Sequence, residues 1–144
     1  MTHQRGLLFA LAALALAVLL TPAVMGADAK ELKAVEKWSG SVDDEKLLKE
    51  APDNGVITDA KTFTKVWTAW KIGEKAPKLD FDKVIVVFTT TSGGKISAKA
   101  TLDDKGDLKF LGIGTRDLKP GFRYDMQAVE REGIKTVNGK EIGK

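Results

Sequence analysis

The stretch FTKVWTAWKIGEKAPKLDFDKVIVVF (63–88) changes its hydrophobic period half-way along. In its first part Phe63, Val66, Trp67 and Trp70 recur at i, i+3, i+4 and i+7, one stripe of an α-helix. Thr58 or Asp59 is expected to cap the start of that helix, and Gly73 to take the left-handed position after its last turn. Pro77, which has no amide to donate, stops any continuation. In the second part Val84 to Phe88 is continuously apolar and β-branched, as a central strand covered on both faces must be. A helix with one apolar stripe beside such a strand has an obvious place to go, across the face of a sheet. The two indoles share that stripe, so they read as a core ridge. A stacking platform for a ligand would sit on the polar face with Lys61, Lys65 and Lys71.

Outward from this centre the segments are short and the turn signals frequent. LKAVEKWSGSV (32–42) places Leu32, Ala34, Trp38 and Val42 on one parity, with Glu36 as the exception, and reads as a first strand. DDEKLLKEAPDNG (43–55) is a polar connection with one helical turn around Leu47 and Leu48, and VIT (56–58) is a short strand. After the central strand, SGG (92–94) turns the chain. KISAKATL (95–102) then alternates, with Ile96, Ala98, Ala100 and Leu102 inward. DDKGD (103–107) is a hairpin loop. LKFLGIG (108–114) returns, with an irregularity expected at Leu111–Gly114. LKPG (118–121) reads as a further turn, and FRYDMQA (122–128) puts Phe122, Tyr124, Met126 and Ala128 on one face. Asn138–Gly139 is the pair best suited to a type I′ hairpin turn. The fold class is therefore α+β, an antiparallel sheet of short hairpin-linked strands packed against one amphipathic helix.

The chain begins with Arg5 as the sole basic residue before an apolar run, Leu7 to Leu20, followed by Pro22 and small residues. This order is that of a secretory signal peptide, and fourteen apolar residues fall short of the roughly twenty that a membrane span requires. Cleavage is expected after Ala29, with Gly26 as the alternative. Residues 1–29 are thus read as a signal segment, the only part expected to meet a membrane, and 30–144 as a single domain. Export, to the periplasm or the medium, is the expected localisation.

Composition narrows the chemistry. The sequence has no cysteine, and its one histidine, His3, precedes the domain. Thiol nucleophiles, thiolate metal sites, disulfides and histidine catalysis are therefore excluded from residues 30–144, and no cofactor or metal is implied. Leaving out Arg5 and Asp28 from 23 basic and 20 acidic side chains gives 22 against 19, of which the only arginines are Arg116, Arg123 and Arg131. The lysines are spread among acids. A phosphate-tracking surface would cluster basic residues and favour arginine, so nucleic acid is not an expected partner.

Four segments stand out as chemical candidates. Asp80 and Asp82 share one side of LDFDK (79–83), the minimum for carboxylate acid–base chemistry. DDKGD is acidic, but lacks the spacing of a calcium loop. Ser92 and Lys95 lie close together in SGGK, on a turn that its glycines explain. GTRDLKPGFRYD (114–125) is the segment least explained by packing: it gathers Arg116, Asp117, Arg123, Tyr124 and Asp125 around Pro120–Gly121, and arginine and tyrosine are the residue types enriched at interface anchors. Arg116, Asp117, Arg123 and Tyr124 are the candidate binding set. An Arg–Asp pair pinning a turn, with Tyr124 in the core, is the plainer reading of the same residues.

VWTAW (66–70), LDFDKVIVVF (79–88) and SGGKISAKATLDDKGDLKF (92–110) together resemble the C-terminal domain of the protease-complex subunit family, a group of secreted bacterial proteins. The resemblance runs from about Val56 to Leu111 and does not extend past Gly112. It implies a noncatalytic, exported partner domain and supplies no catalytic residues. The function expected is binding, with another exported protein as partner. A hydrolase of envelope or extracellular glycans built on Asp80 and Asp82 is the alternative, and a small-ligand carrier with its pocket between helix and sheet is a third. Free strand edges permit two copies to pair without requiring it.

Overall fold

The computed structural model describes residues 29–143; the signal-segment reading falls, except at Ala29, outside them. Short strands β1 (Lys30–Glu31) and β2 (Glu36–Val42) lead to a 3-10 helix at Glu45–Glu50 and to β3 (Val56–Ile57). Helix α1 (Ala60–Ala69) follows, then β4 (Val84–Gly93), β5 (Ile96–Leu102), β6 (Asp107–Gly114), β7 (Leu118–Glu130), β8 (Thr136–Val137) and β9 (Lys140–Glu141). The strands divide into two sheets, one ordered β2-β7-β4-β3 and the other β1-β5-β6-β8-β9. Every pairing is antiparallel except β6 with β8. The α+β class expected from the sequence is the observed one.

The apolar run of β4 explains the layering. Val86 and Phe88 point into a core shared with α1, joined by Phe122, Tyr124, Met126 and Ala128 of β7. Ile85 and Val87 point the other way and meet Ala98, Ala100, Leu108 and Phe110 of the second sheet. The order of layers is helix, four-stranded sheet, five-stranded sheet, with β4 and β7 lining both cores.

Asp59 caps α1, its carboxylate accepting the Thr62 amide at 2.8 Å. Phe63, Val66 and Trp67 are buried along the helix and Trp70 at its end. Trp67 donates its indole N–H to the Gly73 carbonyl and Trp70 donates to the Leu47 carbonyl, at 3.2 and 2.9 Å. Each ring therefore buries its surface without stranding its one polar atom. Trp38, half-buried on β2, completes an aromatic stack with Phe63 and Trp67. The left-handed position falls at Lys71 (φ 52°), not at Gly73. The Ile72 amide returns to the Trp67 carbonyl and the Lys71 amide to that of Thr68, the two bonds of a Schellman cap. What Gly73 supplies is room, since a Cβ there would lie 3.1 Å from the Trp67 ring.

Three local expectations change. The first strand is two, because the chain crosses from one sheet to the other between Glu31 and Glu36, and Glu36 breaks parity where β2 begins. Leu111–Gly114 is regular and pairs with β5 throughout. The irregularity lies across from it: between Thr91 and Gly93 of β4 the partner strand advances from Arg123 to Leu118, and Pro120–Gly121 forms this bulge instead of a turn. A bulge tolerates proline because no ladder bond is required there. The two sheets touch most closely near this end. A Cβ at Gly112 would come within 2.6 Å of the Thr89 side chain, and one at Gly114 within 2.5 Å of Thr91.

The β8–β9 hairpin is tied to β6 by Asp107, whose carboxylate accepts from Thr136 Oγ1 (2.7 Å), the Gly139 amide (2.9 Å) and Lys109 Nζ (2.7 Å). The Lys109 ammonium above all, with the Thr136 hydroxyl and the Gly139 amide, lowers the Asp107 pKa to about 2. A carboxyl whose pKa is depressed on folding stabilises fully above its unfolded value near 3.8 and loses that contribution as pH falls towards 2. Asp107→Asn is expected to cost about 1–2 kcal/mol at pH 7 and to flatten the stability profile between about pH 4 and 2, checked by urea unfolding across pH. Lys71→Gly relieves the left-handed strain and is expected to stabilise by about 0.5–1 kcal/mol, read as a raised Tm.

Candidate functional site

The face of β7 opposite α1 carries Arg123, Asp125 and Gln127, and it lies against the second sheet. Asp125 is 1 % exposed and Gln127 is 5 % exposed, the only buried polar side chains among the described residues. β1 accompanies β5 only at Thr101 and Leu102, with one further bond from Leu32 to Ala100. Farther along, the edge of β5 is left to side chains. Asp125 Oδ2 accepts the Ala98 amide at 3.1 Å, and Gln127 Nε2 donates to the Ala98 carbonyl at 3.1 Å and to Asp125 Oδ1 at 3.0 Å. Lys37, diagonal to Asp125 across β2–β7, places Nζ 3.2 Å from Oδ2 and neutralises the buried charge. A carboxylate and an amide thus stand where a neighbouring strand would be, and they join the sheets.

Arg123 is two residues away on the same face and has no such arrangement. Its Nη1 is buried without a hydrogen-bond partner, and none of the ion pairs among the described residues includes it. An unpaired buried donor costs about 1–3 kcal/mol, and more when it belongs to a charged group. Arg123 borders a cavity of about 400 Å³ between Ser39–Ser41 of β2 and Gly94–Ile96 at the start of β5. Both sides of the opening are strand edges, since β2 ends its sheet and β5 is beyond the reach of β1.

The Thr115–Asp117 turn holds one wall of that cavity. Thr115 donates its amide to the Lys95 carbonyl and accepts the Lys95 amide at its hydroxyl (3.0 Å), while Asp117 Oδ1 accepts the Gly94 amide at 3.1 Å. The Thr115 hydroxyl and the Gly94 amide hold the Asp117 carboxyl below its ordinary pKa. Of the binding set, then, Asp117 and Arg123 flank the same Gly94–Lys95 wall. Arg116 is exposed on the turn itself. Tyr124 also borders that cavity, but its ring belongs to the other face: it packs on Trp70, is 4 % exposed, and lies so close to β2 that a Cβ at Gly40 would meet its hydroxyl at 2.8 Å. Burial raises its pKa.

The remaining candidates separate. Asp80 accepts the Asp82 amide at 3.1 Å and its carbonyl takes the Lys83 and Val84 amides, so LDFDK is a capped turn, not an extended strand entry. Asp82 borders a cavity of about 560 Å³ with Val35, Glu130 and Arg131. An apolar cavity of about 450 Å³ under Phe63, Leu79 and Phe81 includes neither aspartate. The two carboxylates do not converge. In DDKGD, Asp103 accepts the Lys105 and Asp107 amides as a hairpin loop. Among the described residues no group of three or more His, Cys, Asp or Glu side chains is arranged to hold a metal, and no helix is long and apolar enough to cross a membrane.

Gln127 and Lys37 are not among the sequence candidates, and Asp125 figures there only as part of the 114–125 segment. The alternation of Asp125 and Gln127 with Tyr124, Met126 and Ala128 reads as an ordinary solvated face. The available signal was Val129, apolar at the next position of the same parity, on a strand that runs for 13 residues. No family model matches the chain, and no curated protein and no solved structure matches it.

Asp125→Ala leaves the Ala98 amide, Gln127 and Lys37 without their shared acceptor. The expected cost is about 2–3 kcal/mol, measured by chemical unfolding, with faster hydrogen exchange at the Ala98 amide.

Proposed function

We propose that this chain is an exported, noncatalytic binding domain whose partner is another extracytoplasmic protein. One observation carries the reading: every residue from Leu111 to Pro120 is exposed, and this run holds Leu111, Ile113 and Leu118 at 66, 82 and 81 % exposure. Scattered apolar side chains are ordinary on a surface, whereas three large ones near Arg116, beside a latched turn, match the composition of a contact site. The strand pairing fixes Ile113 opposite Ser97 and Leu111 opposite Lys99, so the two side chains stand on a firm sheet and lose little freedom on docking. Arg116 adds a guanidinium at the same turn. The signal-like start of the chain supports export. The resemblance to the secreted partner domain rests on the segments 56–111 and points the same way.

The test is cross-linking of the protein in its native envelope, followed by affinity capture and mass spectrometry. A single exported protein is expected in stoichiometric amount. The variant carrying Ile113→Ser, Arg116→Ala and Leu118→Ser is expected to fold normally and to hold that protein about tenfold or more weakly. Undiminished affinity would remove this surface from the reading.

A further inference from the structure

Resting on that reading, we propose that the cavity beside Arg123 is a carboxylate-recognition site, filled by a carboxylate on an extended peptide segment of the partner. The guanidinium is the reason. Among the described residues it is the one group that carries charge, borders a cavity and has a buried N–H without an acceptor. The carboxylates of its own strand face and of the facing turn, Asp125 and Asp117, are already committed. Asp125 gives Oδ2 to Lys37 and the Ala98 amide, and Oδ1 to Gln127. Asp117 gives Oδ1 to the Gly94 amide and also bonds the Thr115 hydroxyl. The charge of Asp125 is balanced by Lys37, so Arg123 remains the uncompensated cation of this face.

The rest of the wall suits the same ligand. Ser39 and Ser41 lie on β2 with Arg123 paired directly across from Ser41. Both hydroxyls can donate to an anion. In an antiparallel pair alternate residues send their backbone groups to the same edge. Ile96 therefore faces its amide and carbonyl as Ala98 does, away from β6 and towards the cavity. Ala98 has its side-chain partners; Ile96 has none among the described hydrogen bonds. An extended peptide laid along this edge would find a backbone partner at Ile96, with Arg123 taking the carboxylate in a two-pronged, charge-assisted bond. The opening between two strand edges admits a chain, which favours a peptide over a compact ion. Lys95, exposed at the rim, extends the positive field outward.

The experiment is an NMR titration of residues 30–144 with three acetylated hexapeptides of alanine, glycine and serine. The first ends in a free carboxylate, the second is amidated with one central aspartate, and the third is amidated and uncharged. At least one carboxylate peptide is expected to shift the Ser39–Ser41 and Gly94–Ile96 amides and the Arg123 Nε signal saturably below about 10 mM, the range of one charged contact. Which of the two binds identifies a chain end or an acidic side chain as the source. The uncharged peptide is expected to shift none of them. Arg123→Gln is expected to weaken binding about tenfold or more, and Ser41→Phe, an exposed position that plugs the cavity while keeping the cation, to do the same.

The proposal is overturned by no saturable shift with either carboxylate peptide, or by unchanged affinity in Ser41→Phe whether or not Arg123→Gln folds. Tighter binding of glucuronate or inorganic phosphate at the same signals also overturns it, since the site would then serve a glycan or a compact anion. Failure here with partner capture still lost in the 113/116/118 variant leaves the binding-domain reading standing. Saturable peptide binding with capture undiminished in that variant does the opposite: the carboxylate site stands and the apolar surface is removed.

Discussion

The molecule depends on one strand being buried twice. From Ile85 to Phe88 each side chain of β4 enters one of two cores, and no disulfide relieves the demand on them. Four large or β-branched side chains at zero to 8 % exposure concentrate apolar burial in a single short segment. Everything else is arranged to keep both faces covered. The aromatic ridge of α1 covers one and the small-faced strand β5, with Ala98 and Ala100, covers the other. Alanines there let the second sheet settle close to β4, and the glycines of β6 continue the close approach at Thr89 and Thr91.

That closeness has a consequence at each side of the sandwich. Where Gly112 and Gly114 face inward, Leu111 and Ile113 must face outward, because strand alternation leaves no other place for them. Where β5 outruns β1, its edge needs acceptors and donors that no strand supplies, and Asp125 and Gln127 provide them from the neighbouring sheet. A buried carboxylate is tolerable because Lys37 reaches it from β2 and the Ala98 amide bonds it directly. The exposed apolar run and the polar clasp are thus two results of the same packing, a five-stranded second sheet pressed closely onto the four-stranded first one.

Local pattern carried the reading of the helix, the double burial of β4, the alternation of β5 and the Asn138–Gly139 hairpin, where periodicity and turn chemistry act over a few residues. The separation into two sheets was not legible in that way. It depends on pairings such as Glu31 with Thr101 and Glu36 with Ala128, which join residues remote in sequence. The same limit hid the clasp: Asp125 and Gln127 alternate with apolar residues as a solvated face does, and only the arrival of β5 turns that face inward. Pro120–Gly121 misled for a local reason, since a proline–glycine pair serves a bulge as readily as a turn. Of the candidate binding set, Asp117 and Arg123 meet at one wall, whereas Arg116 is exposed on the turn before β7 and the Tyr124 ring, a single step along β7 from Arg123, takes the opposite face.

Arg123 is the residue that this packing does not need. Its neighbours on the same face, Asp125 and Gln127, are hydrogen-bonded and join the sheets, and a neutral side chain at 123 would spare the fold a buried donor without an acceptor. A position that weakens the structure it sits in, while bordering an opening between two strand edges, is better explained by what enters that opening than by what surrounds it. The exposed Leu111–Leu118 surface lies across the Thr115–Asp117 latch from the same cavity, because Asp117 and Thr115 grip Gly94 and Lys95 from the turn that also carries Arg116. A partner held on the apolar run would therefore sit beside the cavity wall, close enough for a short extended segment of it to reach the guanidinium. Affinity from the apolar surface and selection from one charged contact would then divide the work of recognition between them.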